Sequence, residues 1–365
     1  MAPLGILDFS NPPPSRSSPQ QHELARDLVH RLIQHYGYEK TVQEGYKPAA
    51  LLDATLQYIA SPDTFLKFFI FYIYHFVYPE EQNRLKKQKT PGFNLDHAIS
   101  YLSTDGSLGS KQINDLNKAL ESFSEYIIEN VFLPLRASSI TTPQSIPTSA
   151  RGLESVALLR QNCLKRDNHR CVVSRKFDRE TAQTRYADDD GNLLKDEPSD
   201  RFQSLEVAHI LPRSLTIVSS DGSQLNDSKK AVHRILDMFD PGISDLINGP
   251  QIYSPINALS LTLEYHRLFS EFQIFFEHTD TPHRAEPILR DPLFPVTRSL
   301  DLSPHNTIDQ PSSRLLGVHR AIALIMGLSG AGEYIERILR DLELDVKEDG
   351  TTNLDQLVRL RLSGL

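Results

Sequence analysis

EVAHILP at 206–212 and NALSLTLEYHRLFSEFQIFFE at 257–277 hold the chemistry-bearing residues of this chain in a readable order. The first reads as a short strand ending in a His, His209, and a Pro. The second opens on Asn257, runs through an apolar strand, ALSLTL, and turns helical around His266, nine residues after Asn257. Each piece alone is ordinary. A lone histidine on a half-buried strand is most often a satisfied core residue, and an Asn before a strand is usually a turn residue. Together they describe a hairpin followed by a helix, which brings both histidines toward one point.

Around these two stretches lie CVVS (171–174) and FQIFFE (272–277), two further β-like pieces. An amphipathic helix, GLESVALLRQNCLKRDN (152–168), precedes them and becomes basic at its end. Two insertions separate the pieces. ADDDGNLLKDEPSD (187–200) is acidic and turn-rich, and 216–250 holds one helix, SKKAVHRILDMF. Between Arg160 and Arg185 eight Arg or Lys stand against three Asp or Glu, in a chain whose net charge is −8. That local excess suits phosphate contact, and it equally suits a solvated helix face and loop.

Farther out, RASSITTPQSIPTSA (136–150) is almost wholly Ser, Thr, Pro and small residues, and reads as a linker. Residues 1–20 are rich in Pro and Ser and are expected to be disordered. Residues 21–135 have helical periodicity. LARDLVHRLIQHYG repeats its apolar residues at three- and four-residue steps. In PAALLDATLQYIA, Pro48 falls in a first helical turn. Ser61 offers a cap for FLKFFIFYIYHFVY (65–78). That apolar run is shorter than the roughly 20 residues of a spanning helix and predicts a buried helix instead. INDLNKALESFSEYIIENVF has a clear apolar stripe. After a Pro-rich connection past Pro282 come SSRLLGVHRAIALIMGL and GEYIERILRDLEL, broken at Ser329-Gly330-Ala331-Gly332, and a short NLDQLVRLRL.

The expected fold is mainly α with a small α+β core. Residues 21–135 form a helical domain, 136–150 a linker, 151–280 the central domain and 281–365 a helical C-terminal region. The terminal helices pack on that core or on each other. An acidic chain of 365 residues does not coat nucleic acid by bulk positive charge. Two cysteines, Cys163 and Cys171, exclude a disulfide scaffold and a four-cysteine zinc site; they pair or stay reduced, and reduced thiols fit an intracellular protein. The N-terminus has no basic n-region and does not read as a signal peptide. RLKKQK (84–89) reads as solvated charge or as a nuclear import signal, leaving nuclear and cytoplasmic locations open.

The order CVVS, EVAHILP, NALSLTLEYHRLFSEFQIFFE resembles an HNH endonuclease domain of the ββα-metal fold, in its fungal-type variant, over about 168–277. The C-terminal GLSGAGEYIERILRDLE resembles the helical tail that accompanies this domain in fungal proteins. The resemblance implies a central nuclease domain flanked by helical regions, and hydrolysis of phosphodiester bonds in nucleic acid, DNA favoured. His209 matches the general base and His266 a ligand of one divalent metal, Mg2+, Mn2+ or Zn2+. Asn257 matches the residue that ties the loop to the hairpin and helps orient the base. Lys165, Arg166, Arg170, Arg175, Lys176, Arg213 and Arg267 are the candidate phosphate contacts; Arg213 and Arg267 also suit surface ion pairs. No membrane partner is expected, and the oligomeric state is open.

One position departs from the pattern. Many such nucleases carry Asp or His just before the base, where it binds metal; here that residue is Ala208. Glu206, two positions earlier, shares its strand face. It is either a metal ligand or an ordinary strand-edge carboxylate. Two readings without cleavage follow: a catalytically degenerate scaffold that binds nucleic acid or protein, or an accessory protein of a fungal biosynthetic gene cluster. His169 reads as a metal-site neighbour, a phosphate contact or surface. Asp188-Asp189-Asp190-Gly191 lacks the spacing of a calcium loop and reads as a solvated turn.

Overall fold

A computed structural model describes residues 18–42, 45–80, 94–102, 110–140, 150–212, 227–277, 284–287, 296–297 and 308–344. It is mostly helical with small sheets. The helices, in chain order, are α1 (Pro19–Tyr36), α2 (Pro48–Tyr58), α3 (Pro62–Val77), α4 (Leu95–Leu102), α5 (Ser110–Ile127) and α6 (Leu133–Ile140). They continue with α7 (Ala150–Arg166), α8 (Arg179–Thr184), α9 (Asp227–Phe239), α10 (Leu263–Ser270), α11 (Ser313–Ser329) and α12 (Ala331–Leu344). The strands are β1 (Phe177–Asp178), β2 (Phe202–Gln203), β3 (Leu205–His209), β4 (Ala258–Thr262), β5 (Ile274–Glu277), β6 (Arg284–Pro287) and β7 (Val296–Thr297). The chain forms two compact units, Met1–Asn130 with Ile325–Leu365, and Val131–Leu324.

The first unit is helical. α1 starts two residues earlier than expected, because Ser18 and Gln21 cap each other's backbone N–H groups reciprocally. Pro48 and Pro62 each sit in the first turn of their helices, where the missing N–H has no partner to lose. Ser61, expected as a cap, makes no cap bond; its hydroxyl pairs with Thr64 Oγ1 at 2.7 Å. α3 is buried as expected. Phe65 and Phe69 meet Phe123 edge-on at 5.8 and 5.1 Å between ring centres. Among the described residues no single helix is long and apolar enough to cross a membrane. The C-terminal helix joins this unit: Lys47 N–H donates to Ser329 O at 2.8 Å, and Tyr46 meets Tyr334 at 5.2 Å. Gly45 is required there, since a Cβ would stand 2.5 Å from the Tyr334 ring.

The boundary at 130/131 falls inside a continuous helical stretch and not in the expected linker. A π-turn, Ile128–Phe132, joins α5 to α6, and α6 runs to Ile140. Residues 141–149 of that linker, residues 1–17, RLKKQK and NLDQLVRLRL lie outside the described residues.

In the second unit, β3 and β4 form an antiparallel pair, and α10 follows β4 without a loop. This is the expected hairpin-and-helix order. ALSLTL is buried at all five residues of β4, which marks a central element. CVVS, expected as a strand, is a tight turn. Cys171 N–H donates to Lys176 O, Arg175 N–H to Cys171 O, and Ser174 N–H to Cys171 Sγ, so the backbone polar groups close on themselves. The pieces after Pro282 include two strands, β6 and β7; β6 pairs with β5 and β7 with β6 in a three-stranded antiparallel sheet. Two- and four-residue strands are too short to show alternation in sequence.

Candidate functional site

The site grows from the register of β3 against β4. Glu206 lies opposite Leu261, Ala208 opposite Leu259, and His209 opposite Ala258. Strand alternation puts Glu206 and Ala208 on one face and Val207 and His209 on the other. α10 begins on the residue after β4, with the Thr262 hydroxyl as its N-cap, and packs on both strands. Its second turn brings His266 to Glu206: Nδ1 lies 2.6 Å from Oε2. The hydrogen bond from His266 holds the Glu206 carboxyl below the usual carboxylate range, against the pull of partial burial, and Arg160 adds to the effect. An ionised carboxylate only accepts, so Nδ1 carries the proton, and in the neutral ring Nε2 keeps a lone pair. The pair is reachable, with Glu206 38% and His266 20% exposed.

Ala208 is fully buried and offers no donor atom. Among the described residues no three of His, Cys, Asp and Glu group together as a metal cage. The donor set is therefore one imidazole and one carboxylate. That fits a two-point hold on a hard, hydrated cation completed by water and phosphate oxygens. It falls short of the three protein ligands of a catalytic zinc site.

Asn257 is fully buried and bonds to two separate pieces of backbone. Its Oδ1 accepts from Leu211 N–H at 2.9 Å, and its Nδ2 donates to Leu211 O at 3.0 Å and Ile252 O at 3.3 Å. Ile210 N–H donates to the Asn257 carbonyl at 2.8 Å. The backbone leaving His209 is thus stapled on both its donor and acceptor sides. His209 ends the strand half-buried, its ring edge-on to Tyr253 at 6.4 Å between centres.

Two further residues support this frame: Asp178, which sequence reading passed over, and Arg160, which it counted only in the basic run. Asp178 is buried and receives Leu205 N–H at 3.1 Å as well as the N-cap bond from Thr181 N–H. An Asp just before RETAQT was the available signal. Arg160 donates to Leu205 O and, at 2.8 Å, to Glu180. Both hold the start of the strand that carries Glu206.

The candidate basic residues separate by environment. Arg166 is no phosphate contact. It is fully buried, paired with Asp167 at 2.7 and 2.9 Å, and donates to Pro255 O and Ala258 O. Asp167 in turn receives Ser260 N–H at 3.0 Å, so the pair fastens the end of α7 to β4. Arg170 is largely buried and already matched by Asp188 at 2.9 Å and Glu197 at 3.1 Å. Lys165 and Arg267 are exposed, and Arg175 and Lys176 half-buried, with no ion-pair partner among the described residues. Arg213 lies outside the described residues.

His169 Nδ1 lies 3.3 Å from Thr181 Oγ1. Burial, and the charge of Arg185, lower its pKa. The Asp188 carboxylate is taken up by Asn192, the Asp190 N–H and Arg170, which hold it below its usual range despite desolvation. The 188–191 turn is therefore closed on itself. Cys163 and Cys171 are both free and buried, and burial pushes the Cys163 thiol up to about 12.

Residues 171–277 match the family model described as HNH endonuclease. The match runs from the Cys171 turn through β3, β4 and α10 to the end of β5. No curated protein and no solved structure matches the chain. An HNH endonuclease domain supports a nuclease-family function and implies a nucleic-acid substrate. Nucleases of this family usually use a divalent metal.

Proposed function

We propose that residues 171–277 hydrolyse phosphodiester bonds of nucleic acid, DNA in the first instance, with help from one divalent cation held by Glu206 and His266. The observation that carries this reading is the 2.6 Å pairing of Glu206 with His266 across 60 residues of sequence. A carboxylate and an imidazole that share a proton are also the donor types that share a hard cation, and Glu206 stands in for the ligand missing at Ala208. The limited donor set favours Mg2+ or Mn2+ over Zn2+.

In this scheme His209 takes the proton of the attacking water as the new P–O bond forms and the bond to the 3′ oxygen breaks. Asn257 fixes the backbone that presents His209. Lys165, Arg175, Lys176 and Arg267 neutralise flanking phosphates. A bound cation supplies charge stabilisation at the phosphate and leaving oxygen.

The test is nicking of supercoiled plasmid in Mg2+, Mn2+ or Zn2+ by wild type, His209→Ala and Glu206→Ala. Wild type nicks only with metal. His209→Ala loses about 10²–10⁴-fold, the usual contribution of a general base. Glu206→Ala needs more metal for half-maximal rate. A wild type inactive with every metal on DNA and on an RNA control, or a fully active His209→Ala, sinks the proposal.

One observation favours a second reading. With Ala208 buried and no third donor among the described residues, the domain also suits a catalytically degenerate scaffold that binds nucleic acid or protein. Calorimetric titration with Mn2+ separates the two: the scaffold takes up none, and the nuclease binds one equivalent that Glu206→Ala weakens.

A further inference from the structure

Asn257 holds two pieces of backbone at once. Through Leu211 it grips the chain two residues after His209, and through Ile252 O the chain one residue before Tyr253. It therefore fixes the spacing between His209 and Tyr253. The Tyr253 ring meets the His209 ring edge-on, 6.4 Å between centres and 75° between planes, inside the range of a real aromatic contact. Tyr253 also packs on a buried cluster of Leu159, Cys163, Val207 and Ala258. Val207 shares His209's strand face by alternation, and Ala258 is its cross-strand partner. The tyrosine ring is thus seated on the same apolar floor from which His209 rises.

We propose that Tyr253 is a positioning residue for His209: its ring is a wall that limits how the imidazole can turn, so that one ring orientation and tautomer face the substrate. This deepens the nuclease reading and rests on His209 as the base. Asn257 locates the wall; Tyr253 forms it. The contact is ring against ring, and phenylalanine keeps the ring.

The experiment compares Tyr253→Leu and Tyr253→Phe in the full chain. The first readout is the histidine-ring ¹⁵N–¹H long-range NMR spectrum, with the His209 signals assigned by their loss in His209→Ala. Tyr253→Leu should change the His209 tautomer ratio, and Tyr253→Phe should restore it. The second readout is plasmid nicking against pH. Tyr253→Leu should lower kcat roughly ten- to a hundredfold, the cost of a misplaced catalytic group. KM should stay within about twofold, as for a loss of orientation rather than binding, and the rising limb of the pH profile should move. If Tyr253→Leu does not fold, Tyr253→Met takes its place.

Unchanged His209 ring signals in both the leucine and methionine variants overturn the role of Tyr253, whatever the nicking assay gives. A wild-type pH profile and kcat in Tyr253→Leu, beside an inactive His209→Ala, overturn it while leaving the base in place. A fully active His209→Ala removes the base, and a catalytic role for Tyr253 with it.

Discussion

At the scale of single residues, charge says little until burial is known. Lys165 and Arg166 are neighbours in a basic run, yet one is exposed and the other fully buried. Arg166→Met leaves Asp167 as a buried carboxylate without its counter-ion and should cost about 3–5 kcal/mol in urea unfolding. Lys165→Ala should stay within about 0.5 kcal/mol, as surface changes do. It should instead reduce the salt slope of DNA binding by about 1, the signature of one lost phosphate contact. The place of Glu206 on the face of Ala208 was legible in sequence from period-two alternation; its bond to His266 was not, because the partner lies 60 positions away. The role of Arg166 was not, because a run of basic residues looks the same whether a carbonyl-lined slot receives it or water does. Tyr253 was hidden for a related reason: its partner is 44 positions away, and nothing local marks the contact.

At the scale of elements, the helix that carries His266 is fastened at both ends. Thr262 caps its start. At its end Phe272 takes a left-handed φ of 58°, a strained choice for a bulky side chain. His319 of α11 accounts for it: the imidazole stacks on Phe269 at 3.9 Å and Phe272 at 4.5 Å, and lies 3.0 Å from the Phe269 carbonyl. That carbonyl accepts, so Nε2 carries the proton. Burial lowers the His319 pKa to about 3 from the ordinary 6.5. Below pH 6.5 the unfolded chain takes up a proton that the folded chain refuses until about pH 3, so stability falls across that window. Melting curves from pH 7 to 4 should show the fall, and His319→Gln, which can donate without titrating, should flatten it. The hairpin and α10 were legible because their patterns run for five or more residues. The CVVS turn was not, since its apolar side chains serve long-range packing, and β6–β7 were not, since strands of four and two residues are too short for any period.

At the scale of the molecule, the two units should answer pH with opposite sign. In Val131–Leu324, His319 loses stability on acidification, and so do the lowered carboxylates Asp188 and Glu206. In the helical unit burial raises both Glu125 and Glu129; the charge of Glu121 adds to the first and that of Glu125 to the second, which reaches about 7. That folded state holds protons the unfolded chain releases above about 4.5, so stability falls as pH rises toward 7. Glu129→Gln should remove most of this loss. Scanning calorimetry should resolve two transitions that draw together or apart with pH, and a single pH-invariant transition would contradict the assignment. The helical makeup of both ends could be read from periodicity. Their union in one unit could not, because Gly45 and Tyr334 meet across nearly 300 positions. That union also sets an order of events during synthesis. The nuclease-like unit is one uninterrupted span and can close while the ribosome is still working. The helical unit has to wait, with the Tyr46 side of its core uncovered, until the segment after Leu324 has left the exit tunnel. A chain stalled before Ala331 should therefore engage chaperones through its first 130 residues and not through the unit that follows.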